Sequence, residues 1–133
     1  MPITTGLTIT SIIALPLTLI IFGLAYRVII LRRRNRVGLG NGSSKELAMA
    51  RAAHSNAIEN IPLTLLLFAL LELKGVSATI LIAIGSLFII ARCLNAWGVS
   101  QKPGVTFGRY YGALFSFLIM IGLAIYNFIL VLF

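Results

Sequence analysis

Between Ile3 and Leu31 the chain carries one charged residue, Arg27, and no acid at all. A small soluble domain cannot bury so long an apolar stretch, whereas about 20 such residues cross a bilayer as a helix. Three more apolar stretches follow, in the second half of a segment ending at Leu73, over Val76 to Gly98, and over Phe107 to Phe133. In a chain of 133 residues, four spans leave room only for short connections. Charged residues make up 11% of the chain, against about 25% in soluble domains. That is too few to cover a water-facing surface, and hydrophobic residues at 59% exclude disorder as well. The lone Cys93 excludes an internal disulfide and a cysteine-based zinc site. The expected fold is all-α, a four-helix transmembrane bundle forming a single domain over residues 1–133.

The first segment contains Pro16, which bends a helix or is absorbed by local adjustment in a membrane. No Lys or Arg precedes it and no small-residue cleavage site stands out, so it reads as a retained helix rather than a signal peptide. The loop from Arg32 to Ser44 holds Gly38, Gly40 and Gly42, but lacks the Gly-Lys-Ser/Thr ending of a nucleotide-binding loop. Ser43 and Glu46 have capping-box spacing, which starts the second helix at Ser44 and carries it to about Leu73. A tight turn at Lys74-Gly75 leads to the third segment, Val76 to Gly98. A second loop, Val99 to Thr106, contains Pro103-Gly104. Gly104, Gly108 and Gly112 stand at a four-residue spacing that permits close helix packing.

Eleven Lys and Arg oppose three acids, a net charge of +8. Arg32, Arg33, Arg34 and Arg36 directly follow an apolar stretch, where they read as a topogenic cluster at lipid headgroups rather than a nucleic-acid site. No nucleic-acid partner is expected. Lys45, Arg92, Lys102 and Arg109 add to the same side, while the intervening turn has only Lys74 beside Glu72. The positive-inside rule puts both long loops in the cytoplasm and both termini on the opposite side.

The second helix holds the densest polar cluster. At 100° per residue, Arg51, Ser55, Asn56 and Glu59 share one face, while His54 lies to the other side of Arg51. A charge within the membrane costs about 2.5–3.5 kcal/mol. Glu59 therefore needs an ion pair, a hydrogen bond or a proton, and Arg51 and Arg92 are the nearest cations by depth. Two readings stand side by side. The cluster either holds helices together or lines a polar ligand pocket, where converging arginines suit carboxylates. His54 is the only histidine and no carboxylate pair joins it, so no metal site is expected and a hydrogen-bonded structural role is favoured. Cys93 reads as a small buried apolar residue, and Tyr110-Tyr111 as a membrane-interface anchor.

The stretch RAAHSNAIENIPLTLLLFALLELKG, with Asn56, Glu59 and Pro62 at intervals of three, resembles the signature of the MAPEG superfamily (membrane-associated proteins in eicosanoid and glutathione metabolism). RVGLGNG and RCLNAWG resemble segments of its bacterial members, and the similarity covers nearly the whole chain. The resemblance implies a homotrimer in a bacterial inner membrane, with glutathione as cofactor held between subunits near the cytoplasmic side. It implies a glutathione-dependent transferase or peroxidase acting on a lipophilic small-molecule substrate that enters from the bilayer. The resemblance puts Asn56 and Glu59 at glutathione-binding positions and matches Arg92 to a helix-three arginine; with the polar residues Arg36, Arg51, His54 and Asn95 they make up the candidate glutathione-binding set. Arg109 matches the arginine that opens helix four and activates the thiol, with Tyr110 as a second donor. Two positions depart from the family pattern: Ala52 stands where an arginine is usual, and Asn95 where many members carry His. The rival readings are a small proton-coupled multidrug exporter and a catalytically silent scaffold. The exporters carry an acid in helix one, which this chain lacks.

Overall fold

The computed structural model describes residues 6–101 and 104–133. The expected start at Ile3 and the loop cation Lys102 lie outside the described residues. Four helices follow one another: α1 (Thr8–Asn35), α2 (Lys45–Leu73), α3 (Ala78–Gln101) and α4 (Phe107–Leu132). Each is long and apolar enough to cross a membrane, so the all-α four-span reading stands. α1 runs through Pro16 and α2 through Pro62 without interruption.

The helix ends show which local signals mattered. The Ser44 hydroxyl, not Ser43, caps α2 by accepting the Leu47 amide at 3.1 Å. Leu47 is wholly buried, and its inward direction fixes the cap one residue beyond the capping-box spacing. At α4 the Thr106 hydroxyl accepts the Arg109 amide and donates to the Gly98 carbonyl at 2.8 Å, which ties that cap to the end of α3. α1 extends beyond the expected Leu31. Arg32, Arg33 and Arg34 form its last turn, where arginine is a good helix former and its charge complements the helix dipole. The helix stops at Arg36, whose backbone is left-handed at φ 54°.

α1 has no side-chain cap from its own N-terminal flank. Its first amides are satisfied from another helix. The Glu72 carboxylate accepts the N–H groups of Ile9 and Thr10, both at 2.7 Å. A carboxylate there satisfies free donors and opposes the positive end of the dipole. At the same end Lys74 donates to the backbone and side-chain oxygens of Asn127, and Asn127 donates to the Leu67 carbonyl. These contacts close the α2–α3 turn onto α4.

Leu17, Ile61, Phe68, Leu81 and Phe88 fill the main core, and Leu31, Leu47 and Ala50 form a smaller one at the arginine-rich end. On α2, Asn56 falls between Ala50 of the small core and Ala57 of the large one. Large apolar side chains also cover the outside, among them Leu19, Phe22, Leu87, Ile90 and Phe128. That distribution suits a hydrocarbon solvent. α3 and α4 approach most closely at Gly98, Gly108 and Gly112. A Cβ on Gly112 would lie 2.5 Å from the Asn95 nitrogen, and one on Gly108 would lie 2.7 Å from the Leu94 carbonyl oxygen. Gly104 has open space around it, so the close-packing stripe is Gly98–Gly108–Gly112 rather than the expected Gly104–Gly108–Gly112.

Candidate functional site

Arg92 is the largest fully buried side chain, with 1% of its surface exposed. Its position on α3 aims the guanidinium across the bundle, where its partners among the described residues are neutral acceptors. Nη2 donates to Asn56 Oδ1 at 2.6 Å and to Asn95 Oδ1 at 3.0 Å, and Nη1 donates to Ser116 Oγ at 3.2 Å. The Ser116 hydroxyl in turn donates to the Gly112 carbonyl, and Asn95 donates to the Arg109 carbonyl. One polar layer thus joins α2, α3 and α4. The Arg92 Nε has no partner. Arg92 spends its donors on these groups rather than on Glu59, which is exposed and accepts from Ser55 at 3.1 Å. Glu59 therefore has a hydrogen bond of the kind its position demands. Asn56 has left the face it was expected to share with Ser55. The step of 100° between neighbours turns it inward to Arg92.

Arg51 and His54 belong to a different place. A cleft of about 550 Å³ opens between α1, α2 and the loop that joins them, lined by Arg32, Asn41, Arg51, His54 and Ser55 among others. Arg51 donates to the side-chain oxygen of Asn41, which holds the guanidinium at the mouth of the cleft. Ala52, where an arginine is usual in the family, lines this cleft and also a second one of about 390 Å³. The second cleft is bordered by Lys45, Met49, Val99 and Arg109. Ala48 and Ala52 form the wall common to both.

Arg109 and Tyr110 stand side by side at the start of α4 and line a shallow groove with Ala113 and Phe117. Both are exposed, and Arg109 donates to the Gly104 carbonyl at 3.1 Å. Tyr110 meets Tyr111 edge-on at 5.2 Å. Arg36 does not join the α2 cluster; it borders a separate groove at the end of α1. Cys93 is exposed rather than buried, since α3 turns its neighbour Arg92 inward. The expected set is therefore divided: Asn56, Arg92 and Asn95 in the buried layer, Arg51 and His54 in the cleft, Arg109 and Tyr110 at the α4 start. Sequence reasoning missed Ser116 and Asn41. Ser116 carried a signal, being a small polar residue in a long apolar run; Asn41 was hidden in a glycine-rich loop.

The sequence matches the model of the MAPEG family over residues 10–129. It is also similar to the inner membrane protein YecN of Escherichia coli K12, with 27% identity over 94 residues, 71% of this chain and 72% of YecN. YecN of Escherichia coli O6:H1 matches to the same extent.

Proposed function

The chain is an integral multi-pass membrane protein that belongs to the MAPEG family, and on that basis we propose that it is a glutathione-dependent transferase or peroxidase acting on lipophilic electrophiles. The observation that carries this reading is the cationic cleft of about 550 Å³ beside α2. Its donor set fits the tripeptide, which bears two carboxylates, an ammonium and several amides. Arg32 and Arg51 suit the carboxylates. Asn41, Ser55 and His54 suit the amides, and Glu59, one turn beyond Ser55 and outside the cleft's lining, suits the ammonium. The cleft is open on its outer side, where a second copy of the chain could cover it, and family membership supports a homotrimer with the ligand between subunits. The likeness to YecN supports a bacterial inner membrane as the location, and the positive-inside rule favours the arginine-rich end in the cytoplasm.

Glutathione supplies the thiol nucleophile when bound, so the protein needs no reactive cysteine. The chain's own residues bind, orient and stabilise charge. Arg109 borders the second cleft, across the Ala48–Ala52 wall from the first, and there would offer the thiol end of the tripeptide a fixed cation at the N-terminus of α4, where the helix dipole adds a partial positive charge. Tyr110 beside it offers a hydrogen bond. Asn56 connects the cleft side of α2 to the Arg92 layer, with Arg92 and Asn95 as positioning residues behind it. The apolar outer faces let a lipophilic substrate arrive through the bilayer.

One observation favours a second reading, a scaffold without catalysis: Arg92 donates only to Asn56, Asn95 and Ser116, as a purely structural residue would. Conjugation of glutathione to chlorodinitrobenzene by the purified protein, with dye efflux from proteoliposomes measured in parallel, separates the possibilities. Conjugation above the uncatalysed rate supports the enzyme. Efflux alone identifies an exporter, and neither activity leaves the scaffold.

A further inference from the structure

The groove at the C-terminal end of α1 is lined by Ile29, Arg32, Arg33, Arg36, Val37 and Gly38, and shares only Arg32 with the cleft beside α2. Arg32 donates to the Gly38 and Gly40 carbonyls at 3.1 and 3.2 Å, folding the loop back over the helix end. Arg33 and Arg36 stay exposed. Below them an apolar track runs down α1. Phe22, Tyr26, Ile29 and Arg33, at spacings of four, three and four, lie within about 60° of one another on the helix. Phe22 and Tyr26 are 69% and 66% exposed. The stripe is greasy along the span and turns cationic where the span ends.

The backbone at Arg36 is a second, independent observation. Its φ of 54° is the left-handed conformation that glycine adopts freely and an L side chain resists. There Arg36 closes the α1 C-terminus, its backbone N–H bonded to the Arg32 and Arg33 carbonyls, in a position where glycine would serve at no steric cost.

The complement of this groove must be an anion from outside the chain. The sequence has three acids, Glu46, Glu59 and Glu72. Glu72 is engaged at the first turn of α1, the opposite end of that helix, Glu59 is bonded to Ser55 on α2, and Glu46 stands exposed in the first turn of α2, outside the lining of the groove. A second copy brings the same net +8, which on balance repels the patch and disfavours it as the occupant. A free phosphate would have no use for the apolar track. We infer that the groove is a binding site for an anionic glycerophospholipid, its phosphate between Arg33 and Arg36 and one acyl chain along Ile29, Tyr26 and Phe22. Guanidinium groups hold phosphate by paired hydrogen bonds, and the arginines lie at headgroup level. The inference is independent of the glutathione reading.

Native mass spectrometry of the detergent-purified full chain tests it, with dioleoyl phosphatidylglycerol and dioleoyl phosphatidylcholine titrated separately and inorganic phosphate as competitor. The anionic lipid is expected to bind about tenfold or more tightly than the zwitterionic one, and excess phosphate to leave it bound. Arg36→Gly relaxes the left-handed backbone, so it should melt no lower than wild type while binding phosphatidylglycerol about fivefold more weakly. Arg33→Gln added to it should weaken binding by a similar factor again. Equal affinity for the two lipids, or unchanged binding in the double variant, overturns the site. Displacement by inorganic phosphate makes it a free-anion site and overturns the lipid assignment.

Discussion

The Arg92 guanidinium donates to the Asn56 side-chain oxygen at 2.6 Å and so joins α3 to α2 inside an apolar bundle. The arrangement is unusual in its charge. A buried cation is surrounded by the neutral acceptors of Asn56, Asn95 and Ser116, so every one of those hydrogen bonds replaces water that a guanidinium would otherwise keep.

Two substitutions at this layer should therefore differ in cost. Asn56→Leu leaves the charge buried with one partner fewer, and a lost hydrogen bond to a charged group is worth about 1.5–3 kcal/mol. Arg92→Met strands two amide oxygens but also removes the charge, and the two effects partly cancel. Thermal unfolding in detergent should show the larger loss for Asn56→Leu. The reverse order would mean that the cation is better solvated than these contacts allow.

Glu72 acts at a distance on α1. Its carboxylate accepts from Ile9 and Thr10 across a separation of more than sixty residues. Glu72→Ala should free both amides and cost about 1–2 kcal/mol, the worth of a helix cap. Hydrogen exchange should quicken at Ile9 and Thr10 and stay unchanged in α3. Glu72→Gln keeps one acceptor oxygen and should show a smaller change.

Gly112 and Gly122 lie on the same helix and should respond in opposite senses. A Cβ on Gly112 would meet the backbone nitrogen of Asn95 at 2.5 Å, and backbone cannot move aside. Gly112→Ala should force α4 outward at a cost of about 1–3 kcal/mol. Around Gly122 nothing lies within 4 Å. Gly122→Ala gains helix propensity and should stabilise by up to about 1 kcal/mol. Paired melting curves check both.

The four spans were legible because hydropathy over 20 residues needs no tertiary knowledge. The α2 start was legible to within a residue, although the capping-box spacing pointed to Ser43 and the cap is Ser44, and the α4 start was legible because the apolar run begins at Phe107. The end of α1 was misplaced because arginine was taken as a loop residue, whereas it continues a helix well and suits its C-terminus. The partners of Glu72, Lys74 and Asn127 were beyond reach. No local pattern announces that a carboxylate on one helix will cap another. A helical wheel grouped Asn56 with Ser55, Arg51 and Glu59, but a wheel cannot say which side faces inward. Arg92 on α3 makes that choice and draws Asn56 away.

Orientation rests on the arginines at the end of α1 and on Arg92 and Arg109, which lie towards one end of the bundle. A periplasmic reporter enzyme fused after Phe133 should be active, and a cytoplasmic reporter at the same place silent. Replacing Arg33 and Arg34 by glutamine should shift part of the population to the opposite orientation. Cytoplasmic activity of the wild-type fusion would reverse the assignment of the clefts to the cytoplasm.

A pH titration of glutathione with saturating protein, followed by thiolate absorbance, tests the proposed chemistry most directly. A free thiol has a pKa of about 8.5. A nearby cation favours the charged form and lowers that value, so with wild-type protein the thiolate should appear well below pH 8.5. In Arg109→Ala it should return towards the free value while glutathione still binds. A thiolate transition at the free pKa in folded wild-type protein, with or without bound tripeptide, would contradict a glutathione-activating site.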